Sequence, residues 1–229
     1  VVFPPLEKVN FSAVKTPIFI QRDDKRFQIV PPETGQAIIR KDSRTAFNNI
    51  PLGVMKKRYA IADNSELNNA VCEALEDSLP KEALQNIKLI EKTADNGSIC
   101  RWGYSFDGLG RDIRQLTGSK TQLNFRVMII NSFGGQTAIR LQAGAEDLWC
   151  TNGCTSAELM ATAFGHTASF NPAQVKPFIE KQVEYYELKV QTWQAWANKE
   201  INFDQAFKVL QDNYPASESE IKRAEKKGF

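Results

Sequence analysis

The sequence predicts an α+β protein in which an antiparallel sheet built from hairpins packs on helices. Alternating apolar runs flank glycine-containing turns in the middle of the chain, and apolar residues recur at helical spacing between residues 67 and 79 and again between residues 179 and 197. We therefore expect a β-β-β-α core. Residues 1–170 are predicted to form one α+β domain and residues 171–229 a C-terminal helical region.

The N-terminal segment predicts short strands. Residues 17–20 and 27–30 flank a polar turn at residues 22–25, and two prolines end the second run because proline donates no ladder hydrogen bond. Residues 37–40 predict another strand, and the stretch from there to Pro51 is expected to be a loop.

The first helix is predicted by its apolar spacing. Apolar residues recur at i, i+3, i+4, i+7, i+8 and i+12: Leu67, Ala70, Val71, Ala74, Leu75 and Leu79. Asp63, followed three residues later by Glu66, resembles a capping box at the start, and Pro80 follows the last apolar position.

A strand pair is expected next, around the turn Asp95-Asn96-Gly97, since Asn-Gly is a strong hairpin signal. On its second strand Trp102, Tyr104 and Phe106 share one face and Arg101 lies on the other. The aromatic face is either core or, if partly exposed, a platform for unpaired bases. Residues 107–122 carry three glycines and several cations, which predicts a long loop that either grips DNA or is a solvated connector.

A second hairpin is predicted around Gly134-Gly135, with a tight two-residue turn. The incoming strand places Leu123, Phe125, Val127 and Ile129 on one face and Arg126 on the other, and Arg140 lies on the return strand beside Ala138, Ile139 and Leu141. Helices are expected afterwards, at about residues 155–164, 177–198, 201–210 and 217–227.

The longest of these helices carries a three-heptad apolar seam: Ile179, Val183, Tyr186, Val190, Trp193 and Ala197. One helix cannot bury such a seam alone. It either packs back on the sheet or contacts a neighbouring subunit, so a homo-oligomer through the helical region is expected.

Several short motifs occur in a specific order along residues 50–170. They are Leu52–Met55, Arg58-Tyr59, Asp63–Glu66, Asn131–Arg140 (NSFGGQTAIR), Cys150–Gly153 (CTNG, taken as a helix start) and His166-Thr167. This order resembles phage/plasmid-like proteins that are classified as a domain of unknown function. That family usually has Asn-Ser-His-Asp-Gly where this chain has Asn131-Ser132-Phe133-Gly134-Gly135, so His/Asp chemistry at this turn is not expected here.

No catalytic or metal-binding pattern is recognisable in the sequence. His166 is the only histidine and has no matched nucleophile, and Cys150 and Cys154 do not show a zinc-knuckle spacing. The acidic residues that a metal-dependent nuclease could recruit have no signature spacing: Glu91, Asp107, Asp112, Glu146 and Asp147. We therefore expect no enzyme activity and no cofactor.

The net charge of +2 hides an uneven distribution. Residues 1–60 contain eleven basic and five acidic residues, and residues 101–145 contain six and two. A basic β region suits a nucleic-acid-binding face, although ordinary solvated faces remain the alternative. The candidate phosphate contacts are Lys56, Lys57, Arg58, Arg101, Arg111, Arg114, Lys120, Arg126 and Arg140.

The predicted element order is also similar in outline to phage single-strand annealing proteins, which hold stripped strands in a basic groove and need no catalytic acid or base. The expected function is thus binding of single-stranded DNA, with strand annealing as a further role, in phage or plasmid replication and recombination. The alternatives are a protein-interaction or host-interference factor and, third, a metal-dependent nuclease. No apolar run or signal peptide predicts membrane insertion, and four scattered cysteines predict free thiols in the cytoplasm of a host cell.

Overall fold

The computed structural model describes residues 2–22, 25–28, 34–45, 48–112, 122–148, 155–197, 199 and 202–213. The strands among them are β1 Ser12–Thr16, β2 Phe19–Arg22, β3 Lys25–Gln28, β4 Gln36–Lys41, β5 Pro51–Met55, β6 Ile87–Ala94, β7 Ile99–Asp112, β8 Gln122–Ser132, β9 Ile139–Leu148 and β10 Thr155–Phe164. The α-helices are α1 Asn64–Ser78, α2 Val175–Ala197 and α3 Phe203–Asn213. The predicted α+β class with antiparallel sheets is confirmed.

The main sheet is a five-stranded antiparallel meander in the order β10-β9-β8-β7-β6. Side chains alternate along each strand, so every second side chain points to the same face of the sheet. On one face Trp102 lies opposite Ile129, and Ile129 lies opposite Leu141. All three are fully buried. Both predicted hairpins, β6-β7 and β8-β9, are thus confirmed, but the sheet has five strands where the predicted β-β-β-α core has three.

Helix α1 covers one end of this apolar face. It begins at the predicted position, because the Asp63 carboxylate accepts hydrogen bonds from the backbone N–H groups of Ser65 (2.7 Å) and Glu66 (3.3 Å). Its apolar stripe is buried. On its inner side the Asn68 Oδ1 atom accepts hydrogen bonds from Trp102 Nε1 at 3.0 Å and from the Tyr104 hydroxyl at 2.8 Å, which fixes the helix to β7.

Helix α2 covers the rest of the face and lies against α1. Four residues of its seam are buried: Ile179, Val183, Tyr186 and Val190. The Tyr186 ring lies 5.2 Å from that of Phe125, and its hydroxyl donates to the Leu109 carbonyl at 2.8 Å. These four seam residues are therefore buried within one chain, and Trp193 is partly buried against the same core. The homo-oligomer through the helical region stays a prediction. The core is continuous across residue 170, and the division of the chain there stays a prediction.

The N-terminal residues add a three-stranded sheet in the order β1-β4-β5 and a separate β2-β3 hairpin. The strand predicted at residues 37–40 is confirmed as β4, and the pairing predicted around residues 22–25 is confirmed by Phe19 opposite Gln28. Strand β5 contains the motif Leu52–Met55. Strand β1 is not anticipated by the sequence pattern.

The helix predicted at residues 155–164 is wrong. Those residues form β10, which pairs with β9 over ten residues, from Thr155 opposite Leu148 to Phe164 opposite Ile139. Alanine, glutamate, leucine and methionine favour helix locally, but pairing along an open sheet edge overrides this preference. The helix start proposed at residues 150–153 lies outside the described residues.

Two expected connections also differ from the structure. The loop predicted at residues 107–122 is wrong for residues 107–112, which belong to β7, and for Gln122, which begins β8. Residues 113–121 lie outside the described part. The β8-β9 connection spans residues 133–138 rather than two residues. The Phe133 N–H donates to the Ser98 carbonyl at 2.8 Å, and a Cβ on Gly53 would lie 2.8 Å from Gly134 Cα, so this longer connection is anchored to two other elements.

Helix α3 confirms the helix predicted at residues 201–210, with slightly different bounds, whereas residues 217–227 lie outside the described residues. Within the described part of the chain, no helix combines the length and the apolar character that crossing a membrane requires.

Candidate nucleic-acid interface

The face of the five-stranded sheet that points away from α1 and α2 carries a cluster of cations. In one cross-strand row Lys92 lies opposite Arg101, Arg101 opposite Ile130, and Ile130 opposite Arg140. Because adjacent strands are about 4.8 Å apart, the Cα atoms of Arg101 and Arg140 are about 10 Å apart. We call this surface the basic face and define it by Lys88, Lys92, Arg101, Arg126 and Arg140.

The cations of the basic face differ in exposure. Arg101, Arg140 and Lys92 are exposed, whereas Arg126 is partly buried. Burial lowers the pKa of the Arg126 guanidinium, and the charge of Arg101 lowers it further. The two guanidinium groups are therefore close enough to repel each other. Lys88 differs again, because its Nζ atom forms an ion pair with Asp107 Oδ2 at 2.5 Å.

The centre of the basic face is filled rather than hollow. Met128 is 1% exposed and Ser105 is 5% exposed. A Cβ on Gly103 would lie 2.5 Å from the Met128 sulfur and 2.1 Å from the Val127 carbonyl oxygen, so the methionine lies directly over this glycine. A ligand of this face would lie across its surface and contact the surrounding cations.

A buried polar network lies at the end of strand β8, close to the β8-β9 connection. The Asn131 amide donates to the Ala62 carbonyl at 2.9 Å and to Asn64 Oδ1 at 2.7 Å. Asn64 in turn donates to the Val9 carbonyl at 2.9 Å. The network ties the N-terminal segment and the start of α1 to the central strand of the sheet.

The same end of the sheet holds Tyr59 and His166. The Tyr59 hydroxyl donates to the Ser132 carbonyl, and its ring stacks on that of His166 with the ring centroids 4.6 Å apart. Burial lowers the pKa of His166, although backbone groups of Ala60 and Thr137 oppose this. The imidazole is therefore neutral near pH 7 and has a packing role. The motifs at residues 58–66, 131–140 and 166–167 thus meet in one region of the fold.

A family model described as a domain of unknown function, DUF932, matches residues 51–229, more than half of the chain. The chain belongs to the DUF932 family. The predicted membership in a family of unknown function is confirmed, whereas the phage or plasmid association stays a prediction. No curated protein sequence matches the chain.

The structure brings only some of the predicted contact residues of this DUF932 protein together. Arg101, Arg126 and Arg140 share the basic face. Lys56, Lys57 and Arg58 are exposed in the turn after β5, where the Lys57 carbonyl accepts a hydrogen bond from Lys15 Nζ at 3.1 Å. The remaining three cannot be placed: the Arg111 side chain, in β7, is not described, and Arg114 and Lys120 lie outside the described residues.

Both faces of the five-stranded sheet bear on the sequence predictions. Lys88 and Lys92 belong to the basic face but were not predicted, although alternation in β6 with the apolar Ile87 and Leu89 on the opposite face signals them. The aromatic face formed by Trp102, Tyr104 and Phe106 is fully buried. It is core, so the interpretation as a base-stacking platform is wrong.

The carboxylates considered for nuclease chemistry have structural partners where their side chains are described. Glu91 accepts hydrogen bonds from the backbone N–H groups of Glu7, Lys8 and Val9 at 3.1–3.3 Å, and Asp107 binds Lys88. Among the described residues, no group of three or more histidine, cysteine or acidic side chains is placed to hold a metal ion.

The two cysteines that the structure describes, Cys72 and Cys100, are free thiols. Burial raises the pKa of Cys72 to about 11 and that of Cys100 to about 12, so both are poor nucleophiles near neutral pH.

Proposed function

We propose that this DUF932 protein binds single-stranded DNA across the basic face and promotes strand annealing. The observation that carries the proposal is the placement of Arg101 and Arg140 on either side of Ile130 in one cross-strand row, with Lys92 and Arg126 beside them. Guanidinium forks on alternate strands suit a backbone of regularly spaced phosphates.

The electrostatics of the face support an anionic ligand. The charge of Arg101 adds to burial in lowering the pKa of Arg126, so the positive charge of Arg126 is disfavoured in the unbound protein. A phosphate between two guanidinium groups would remove this repulsion and add charge-assisted hydrogen bonds.

Annealing is consistent with the same surface. A protein that neutralises phosphates lowers the repulsion between two complementary strands, and this needs no general acid or base. The outline similarity to phage single-strand annealing proteins supports a role in phage or plasmid replication and recombination by analogy. Free Cys72 and Cys100 thiols agree with the reducing host cytoplasm that we propose as the compartment.

The proposal is tested by titrating fluorescent oligo-dT with the protein at several salt concentrations. We expect the logarithm of the association constant to fall linearly with the logarithm of salt concentration, at about −0.7 for each phosphate contact. Absence of binding at low salt would overturn the proposal. An annealing assay with two complementary oligonucleotides, with and without protein, then separates annealing from binding alone.

A second candidate is a protein-interaction factor, which the surface of α3 favours. Phe203 is 81% exposed and Phe207 is 51% exposed, and their rings stack with centroids 6.1 Å apart. Aromatic residues exposed on one side of an amphipathic helix are typical of a groove-binding segment. If Phe203→Ser/Phe207→Ser removed biological activity while oligo-dT binding stayed intact, this candidate would be preferred to DNA binding.

A further inference from the structure

Strand β10 forms one edge of the five-stranded sheet, and its outer backbone edge has no strand partner among the described residues. It pairs with β9 over ten consecutive residues without a register shift. A long edge strand exposes a row of backbone N–H and C=O groups that can pair with another strand, and proteins commonly block such edges with lysine, proline or a bulge. The β10 sequence, TSAELMATAF, contains no lysine and no proline, and Glu158 is its single charged residue.

The opposite edge of the same sheet is protected. Strand β6 carries Lys88, Glu91 and Lys92 within eight residues. The Glu91 carboxylate also holds the backbone N–H groups of residues 7–9, which fixes the N-terminal segment beside this strand. The two edges therefore differ, and only β10 has the composition of a pairing edge.

We propose that two copies of this chain associate through their β10 strands, antiparallel about a two-fold axis near Met160. An isologous contact satisfies both open edges at once and closes the assembly as a dimer. Pairing β10 of one copy with β6 of the next would instead give an open chain or ring, and the protection of β6 disfavours it. In this register residues 156–164 of the two copies lie opposite each other, and alternating hydrogen-bonded pairs would give about eight to ten backbone hydrogen bonds.

The residues near the axis fit this arrangement. Met160 is 45% exposed, and antiparallel pairing about it would place it against Met160 of the second copy. In that register Glu158 lies opposite Thr162, whereas parallel in-register pairing would place the two Glu158 residues opposite each other. Ala161 and Ala163 are exposed, so this part of β10 is accessible to a second strand.

The pairing has a consequence for DNA binding, which rests on the proposed function. A two-fold axis perpendicular to the sheet keeps both basic faces on the same side of a continuous ten-stranded sheet. One single strand longer than a monomer footprint could then contact Arg140 and Arg101 of both copies. Oligonucleotides long enough to span both faces would bind more tightly to the dimer than to a monomer.

The test is the mass of the DNA-free protein, measured by light scattering and sedimentation velocity from micromolar to hundreds of micromolar concentration. We expect a dimer for the unmodified chain and a monomer for Ala161→Lys/Ala163→Lys, because two lysines on the edge oppose pairing. Ala94→Lys is the matched control: it adds a lysine at an exposed alanine of β6 and should leave the dimer intact. Phe203→Ser/Phe207→Ser should also leave it intact.

Hydrogen exchange of the unmodified protein gives a measurement that does not depend on a variant folding. Backbone amides within residues 155–164 should become more protected as concentration rises through the monomer-dimer transition. A monomer at all concentrations, a dimer that persists in Ala161→Lys/Ala163→Lys, or a large ring would each overturn the proposal. A monomer that still binds oligo-dT would refute only the β10 contact, and a dimer that does not bind would refute only the proposed function.

Discussion

Replacing Arg101 and Arg140 together by alanine tests whether the basic face contacts phosphates. Both side chains are exposed, so their removal leaves the core unchanged and the unfolding temperature should stay within about 2 °C of that of the unmodified protein. If each arginine contacts one phosphate, the loss of both reduces the salt slope of oligo-dT binding by about 1.4. Over a fourfold rise in salt, from about 50 to 200 mM, the variant would then lose about sevenfold less affinity than the unmodified protein.

The assay is fluorescence anisotropy with labelled oligo-dT at four or more salt concentrations. Lys181→Ala/Lys208→Ala is the control, since it removes two positive charges from exposed positions on α2 and α3, away from the sheet. Its slope should match that of the unmodified protein. Equal slopes for the arginine variant and the unmodified protein would show that neither arginine contacts a phosphate. A slope that falls equally in both double variants would show that only net charge matters.

Three other predictions concern stability and reactivity. Asn131→Ala should lower the free energy of unfolding by about 3 kcal/mol in urea, because Asn64 Oδ1 and a backbone carbonyl lose their buried donor; a loss below about 1 kcal/mol would contradict this. The hydrogen bond from Arg40 lowers the pKa of Asp42 from 3.8 to about 2. This carboxylate therefore contributes stability above pH 3.8 that is lost as the pH falls through 2, and Asp42→Asn should show a smaller loss of urea midpoint over that range. Cys100, with a pKa of about 12, should resist iodoacetamide at pH 8 until urea unfolds the protein, as followed by mass spectrometry.

Local sequence signals were sufficient where one element determines its own structure. The Asn96-Gly97 turn and the alternation on both sides of it identify the β6-β7 hairpin, since Asn96 adopts the positive φ of 58° that such turns require. Asp63 and the apolar spacing behind it identify α1. The helix prediction for residues 155–164 was wrong because their residue types favour helix, whereas their conformation depends on pairing with β9, which is a long-range partner.

The candidate site was predictable only in part for the same reason. Alternation placed Arg101 opposite the apolar face of β7, and Arg126 opposite that of β8. Alternation does not reveal register, however, so the row that joins Arg101 to Arg140 through Ile130 could not be known in advance. Lys92 enters the site through the same register.

The family match begins at residue 51, but the apolar core does not. Val9 and Ile38 are completely buried, and the Phe11 ring lies 5.4 Å from that of Phe133 in the β8-β9 connection. An expression fragment cut at the start of the matched region would remove these side chains and leave the apolar surface beneath them open to water. The boundary that sequence comparison recognises is therefore not a folding boundary, and truncation studies of this protein should keep the first fifty residues.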